Sequence, residues 1–74
     1  MCGICGVVAP GRPAEGAAVA AMAARLDHRG PDGAGLYEGE GCALGFRRLA
    51  ILDLSDAGMQ PFAGADGRLR LVHN

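Results

Sequence analysis

Apolar and polar positions along the chain divide it into short elements separated by turn residues. Gly3 to Ala9 is a compact apolar run with β-branched Ile4, Val7 and Val8, the pattern of a strand buried on both faces. Pro10-Gly11-Arg12-Pro13 is expected to end it. Pro13 suits a first helical position, Glu15 sits in the first turn where the helix dipole favours an acid, and Ala17 to Leu26 is rich in helix formers. Val19, Met22, Ala23 and Leu26 share one face at i, i+3, i+4, i+7 spacing, which predicts a core stripe against a sheet.

Asp27 to Gly33 is polar, with two Gly and a Pro, and is expected to be a structured loop. Gly35 to Glu38 and Cys42 to Phe46 predict two strands joined by a hairpin at Gly39-Glu40-Gly41. Arg47-Arg48 follows, then the apolar run Leu49 to Leu54, interrupted by Asp53. Ser55-Asp56-Ala57-Gly58 and Gly64-Ala65-Asp66-Gly67 read as turns on either side of an irregular Met59-Gln60-Pro61-Phe62. Arg68 to His73 is expected to be a last strand. A strand, a helix and then several strands with hairpin turns predict an α+β fold, an antiparallel sheet carrying one clear helix.

Half of the 74 residues are apolar, enough for one small domain that buries only about 60% of its unfolded surface. Net charge is −1, with every basic side chain an arginine, so no basic field points to nucleic acid. No apolar run approaches a membrane span and no signal-peptide pattern opens the chain, so a cytoplasmic setting is expected. Asn74 follows an apolar run with no cap or turn, and the chain is expected to be the beginning of a longer protein.

The chemistry concentrates in Met1-Cys2-Gly3-Ile4-Cys5-Gly6. Removal of Met1 would leave Cys2 with a free α-amine, so that one residue holds both a nucleophile and a base. The same six residues also read as a first strand whose cysteines are small hydrophobes. Cys2 and Cys5 match C-x-x-C, half of a zinc site or a redox pair, yet Cys42, His28 and His73 do not complete a finger-like spacing. Three cysteines in a reducing compartment argue against a disulfide framework, leaving Cys5 and Cys42 as buried core residues. Arg47 and Arg48 are either solvated charges or, through a guanidinium fork, an anchor for a carboxylate. Asn74 is either a turn residue or an amide donor to an oxyanion. His28 and Asp32 fit turn formation better than acid–base work.

MCGICG at 1–6, HRGPDG at 28–33, GFRRLAILDLS at 45–55, GMQPF at 58–62 and LVHN at 71–74 run in order through the whole chain. Together they resemble the N-terminal glutaminase domain of glutamine-dependent asparagine synthetase, a class II glutamine amidotransferase with the N-terminal-nucleophile fold. The resemblance implies that residues 1–74 form part of an αββα sandwich. It implies that Cys2 attacks the glutamine side-chain amide, that Arg48 holds the glutamine α-carboxylate, and that Leu49, Ala50, Ile51 and Leu52 line the same pocket. Asn74 matches an oxyanion-hole asparagine, whereas Arg47 stands where the family varies, and HRGPDG looks like a rigid loop near the site. His73 stands where relatives often have an apolar or aromatic residue. No cofactor is implied within this segment. ATP and magnesium belong to a C-terminal synthetase domain that receives the ammonia, and that domain and glutamine are the implied partners, with a homodimer compatible. Two alternatives are an amidotransferase of the same class serving another acceptor and a small Cys/His zinc-binding module.

Overall fold

A computed structural model describes residues 2–13, 15–51 and 54–74. In chain order it contains β1 (Gly3–Pro13), α1 (Gly16–Ala24), β2 (Gly33–Arg48), a single 3-10 turn at Asp56–Gly58, β3 (Phe62–Ala63) and β4 (Arg70–Leu71). β1 pairs antiparallel with β2, and β3 pairs antiparallel with β4. The expected α+β class, with antiparallel pairing and one helix, is what forms.

β1 outlasts its expected end. Its register runs from Gly3 opposite Arg47 to Val8 opposite Cys42, breaks in an irregularity, and resumes with Pro13 opposite Glu40. Pro10-Gly11 therefore interrupts the ladder without ending the strand, because a proline φ is compatible with extended backbone and a bulge absorbs the missing N–H. Nor is β1 buried on both faces. Gly3, Cys5, Val7 and Ala9 turn to the covered side, whereas Ile4 and Val8 lie on the other and Val8 is 76% exposed. A helix covers one face only, so the period-2 alternation of a strand decides burial.

The helix starts later than its composition suggests, because Pro13 is still held in the sheet. Glu15 caps it through its backbone carbonyl, which accepts from the N–H groups of Ala18 and Val19. The buried stripe is Gly16, Val19 and Ala23, while Met22 of the expected stripe is 40% exposed. α1 packs on both strands, so its seam is narrow, and most of its other alanines face outward. Burying a side chain such as Val19, which is 0% exposed, stabilises the fold by about 2 kcal/mol. Ala43 and Phe46 complete the buried apolar set, and Phe46 lies opposite Ile4 in the ladder.

Gly33–Arg48 forms a single element, β2, in place of the two expected strands. Sixteen residues laid straight would measure about 50 Å, longer than the 38 Å maximum extent of the molecule. The run folds back on itself, since the Asp32 N–H donates to the Arg48 carbonyl at 2.9 Å. Gly41, with φ of 84°, lies in the stretch where the chain reverses. The hairpin expected there is thus present as a fold-back inside a single element.

The second half is less regular. Ser55 begins a turn, its Oγ accepting from the Ala57 N–H at 3.3 Å, and Gly64 to Gly67 closes the β3–β4 connection with a Gly67 N–H to Gly64 carbonyl bond of 3.0 Å. The last strand is two residues long instead of spanning Arg68 to His73. Leu71 within it is 58% exposed, and Leu69 just before it is 72% exposed. Arg70 turns inward, its guanidinium 4.6 Å from the Tyr37 ring centroid. A cation over an aromatic face is favourable where no apolar layer is available to bury the leucines. Among the described residues no helix is long and apolar enough to cross a membrane.

Candidate functional site

The β1–β2 register assembles the site. Because Gly3 faces Arg47, the residue before it comes to lie beside the end of β2, bringing Cys2 to Leu49 across 47 positions of sequence. The Cys2 Sγ accepts from the Leu49 N–H at 3.4 Å and its S–H points to the Leu49 carbonyl at 3.8 Å. Cys2 is half-buried. Its backbone carbonyl accepts from Arg29 Nε at 3.1 Å, so the loop before β2 also holds the cysteine.

That loop, His28 to Gly33, is tied down at several points. Arg47 Nε donates to the Gly30 carbonyl at 2.9 Å, Pro31 bridges to Arg48, and the Asp32 carboxylate accepts from the Ala50 N–H at 2.8 Å. Gly30 is buried, and a Cβ there would overlap the Arg47 carbonyl and the Arg48 nitrogen. A glycine is required because backbone meets backbone with no room for a side chain. Arg29, Gly30 and Asp32 therefore have defined contacts around Cys2 that residue types alone did not show. The only signal for them in the sequence was the pairing of charged residues with Gly and Pro in one short loop.

Arg48 is 7% exposed, a buried charged side chain, and its Nη1 donates to the Ser55 carbonyl. A buried guanidinium is stable only with its donors occupied, and the Ser55–Gly58 turn wraps it for that reason. Arg47, half-buried on the neighbouring position, is engaged by Gly30 instead. Ala50 is half-buried and Ile51 is 71% exposed, while Leu52 lies outside the described residues. Asn74 is exposed, and among the described residues no hydrogen bond joins it to Cys2. The structure thus brings together Cys2, Arg48, Leu49 and, through Asp32, Ala50; it leaves Ile51 and Asn74 on the surface.

The other two cysteines are half-buried rather than fully buried. Burial pushes the Cys5 thiol up, opposed in part by a backbone hydrogen bond from Gly45, and its S–H points to the Val19 carbonyl at 3.7 Å. Among the described residues no group of three or more His, Cys, Asp or Glu side chains is gathered to hold a metal ion. The C-x-x-C spacing at Cys2 and Cys5 follows strand alternation here, one cysteine at the strand entrance and one under the helix.

Comparison with known proteins decides which family holds this arrangement. A family model described as a glutamine amidotransferase domain matches residues 1–74. The chain belongs to that family. This amidotransferase domain is 37% identical over 76 aligned positions to a glutamine-hydrolysing asparagine synthetase of Triphysaria versicolor, covering 100% of this chain and 13% of the relative. It is 40% identical over 76 positions to the enzyme of that name from Brassica oleracea, again with 100% and 13% covered. Against that of Zea mays it is 41% identical over 68 positions, covering 89% of this chain and 11% of the relative. The amidotransferase sequence thus spans little more than a tenth of the length of these relatives. No solved structure matches the chain.

Proposed function

We propose that this chain is part of a class II glutaminase domain with the N-terminal-nucleophile fold, in which Cys2 releases ammonia from glutamine. The observation that carries the reading is the anchoring of Cys2 against Leu49, beside the buried Arg48, in a chain that belongs to the amidotransferase family.

After removal of Met1, the free α-amine of Cys2 takes the thiol proton and the sulfur attacks the side-chain amide carbon of glutamine. The tetrahedral intermediate collapses with cleavage of the C–N bond, the proton passing from the α-ammonium to the departing nitrogen. Ammonia leaves and a γ-glutamyl thioester remains. Water, deprotonated by the same amine, attacks the thioester; glutamate departs and the thiol is restored.

In this reading Arg48 takes the substrate α-carboxylate, with Leu49 to Leu52 as the pocket wall. Asn74 donates its side-chain amide to the oxyanion. HRGPDG holds the cysteine backbone in register through Arg29. The ammonia serves asparagine synthesis, the activity carried in the names of the relatives, and in this reading a synthetase domain makes asparagine from aspartate and supplies the ATP and magnesium chemistry. Residues 1–74 by themselves are expected to be inactive or nearly so.

In the full-length protein, Cys2→Ala is expected to abolish glutamine-dependent asparagine formation while formation from free ammonia persists. Equal loss of both activities, or survival of the glutamine-dependent one, would remove Cys2 from the nucleophile role.

A further inference from the structure

We infer that Gln60 is a positioning residue for Asn74, fixing the backbone from which that exposed side chain extends; this rests on the glutaminase reading above, in which Asn74 donates to the oxyanion. The side chain of Gln60 makes two hydrogen bonds to one residue. Its Oε1 accepts from the His73 N–H at 2.6 Å and its Nε2 donates to the His73 carbonyl at 3.2 Å. An amide that donates to a carbonyl and accepts from the N–H of the same residue reproduces what a neighbouring β-strand would do. β4 ends at Leu71, so beyond it this side chain takes over the work of a ladder. Asn74 is the next residue along.

Gln60 is itself fixed from the other side. Its carbonyl lies so close to Gly35 of β2 that a Cβ there would overlap it. Only glycine permits that approach. β2 also holds β4 directly, through Arg70 stacked on Tyr37. Position therefore passes from β2, the strand whose end carries Arg48 and abuts Cys2, through Gln60 to His73 and on to Asn74. Among the described residues no common ladder joins β3–β4 to β1–β2, so the tie between the segment carrying Asn74 and the strands beside Cys2 runs through side chains, Gln60 and Arg70.

The test is a double-mutant cycle on glutamine hydrolysis in the full-length protein, with ammonia-driven synthesis as the measure of intact fold. Gln60→Ala is expected to lower kcat by about 10- to 100-fold, the scale on which small misplacements of a catalytic group act, with little change in KM for glutamine. Gln60→Glu keeps the acceptor for the His73 N–H and loses the donor, so its loss should be intermediate. In an Asn74→Ala background, Gln60→Ala should cost nothing further, because the group it positions is already gone. An unchanged kcat in both Gln60 variants, or the same fold-loss with and without Asn74, would overturn the inference. Cys2→Ala and Asn74→Ala are the controls on the underlying reading. If either retains full glutaminase activity, that reading fails whatever Gln60 does; if both lose it and Gln60→Ala does not, only the positioning role fails.

Discussion

Single side chains in this molecule are governed by what covers them. Cys2 and Cys5 are three positions apart, yet one meets the backbone of Leu49 and the other lies under α1 against the Val19 carbonyl. Desolvation favours the neutral thiol, so Cys5 holds its proton to higher pH than an exposed cysteine. Its folded value exceeds the unfolded one, so its contribution to stability is complete below the unfolded thiol range, near pH 8.5, and is lost as pH rises through the folded value. Urea unfolding of the wild type and of Cys5→Ala between pH 7 and 10 should therefore converge in stability toward the alkaline end. A constant difference across that range would show that the Cys5 thiol does not titrate differently in the two states.

Elements meet here through backbone as often as through side chains. The His28–Gly33 loop lies against the Arg47–Arg48 end of β2, with Gly30 at the point of closest approach. Gly30→Ala is expected to destabilise the fold by about 2 to 3 kcal/mol, since neither neighbouring backbone can yield to a new methyl group. Denaturant unfolding measures this, and a change below about 0.5 kcal/mol would match a loop position without packing constraint. The loss should extend to the hydrogen bonds that Arg29 and Arg47 make across the same contact, to the Cys2 and Gly30 carbonyls. How the loop reads in sequence explains why only part of this was visible: Gly and Pro announce a turn, but not which backbone the turn is pressed against.

At the scale of the whole molecule, one face of the β1–β2 pair is covered by α1 and much of the other is open. Ile4 at 42%, Val8 at 76%, Leu69 at 72% and Leu71 at 58% exposure leave large apolar side chains in water. Exposed apolar surface on this scale marks a contact surface or an aggregation site. Residues 1–74 expressed alone are expected to associate as concentration rises, which sedimentation velocity would detect; a monomer at every concentration would show that these side chains are tolerated in water.

Local chemistry was legible in the sequence. The helix, the turns at Ser55 and at Gly64–Gly67 and the α+β order all follow from residue types within a few positions of one another. Such features depend on backbone preferences and short-range hydrogen bonds, which act before any tertiary contact forms. Boundaries were less legible: β1 runs through Pro10, β2 absorbs its own turn, and β4 shrinks to two residues. Strand pairing decides these, because its energy lies in a partner that is distant in sequence. Tertiary structure alone brought Cys2 to Leu49, buried Arg48 under the Ser55 turn and set Gln60 against His73. The buried Arg48 guanidinium must find a partner when water is removed, and for all three contacts which partner lies in reach is fixed by the register of β1 on β2 and by the close approach at Gly30 and Gly35.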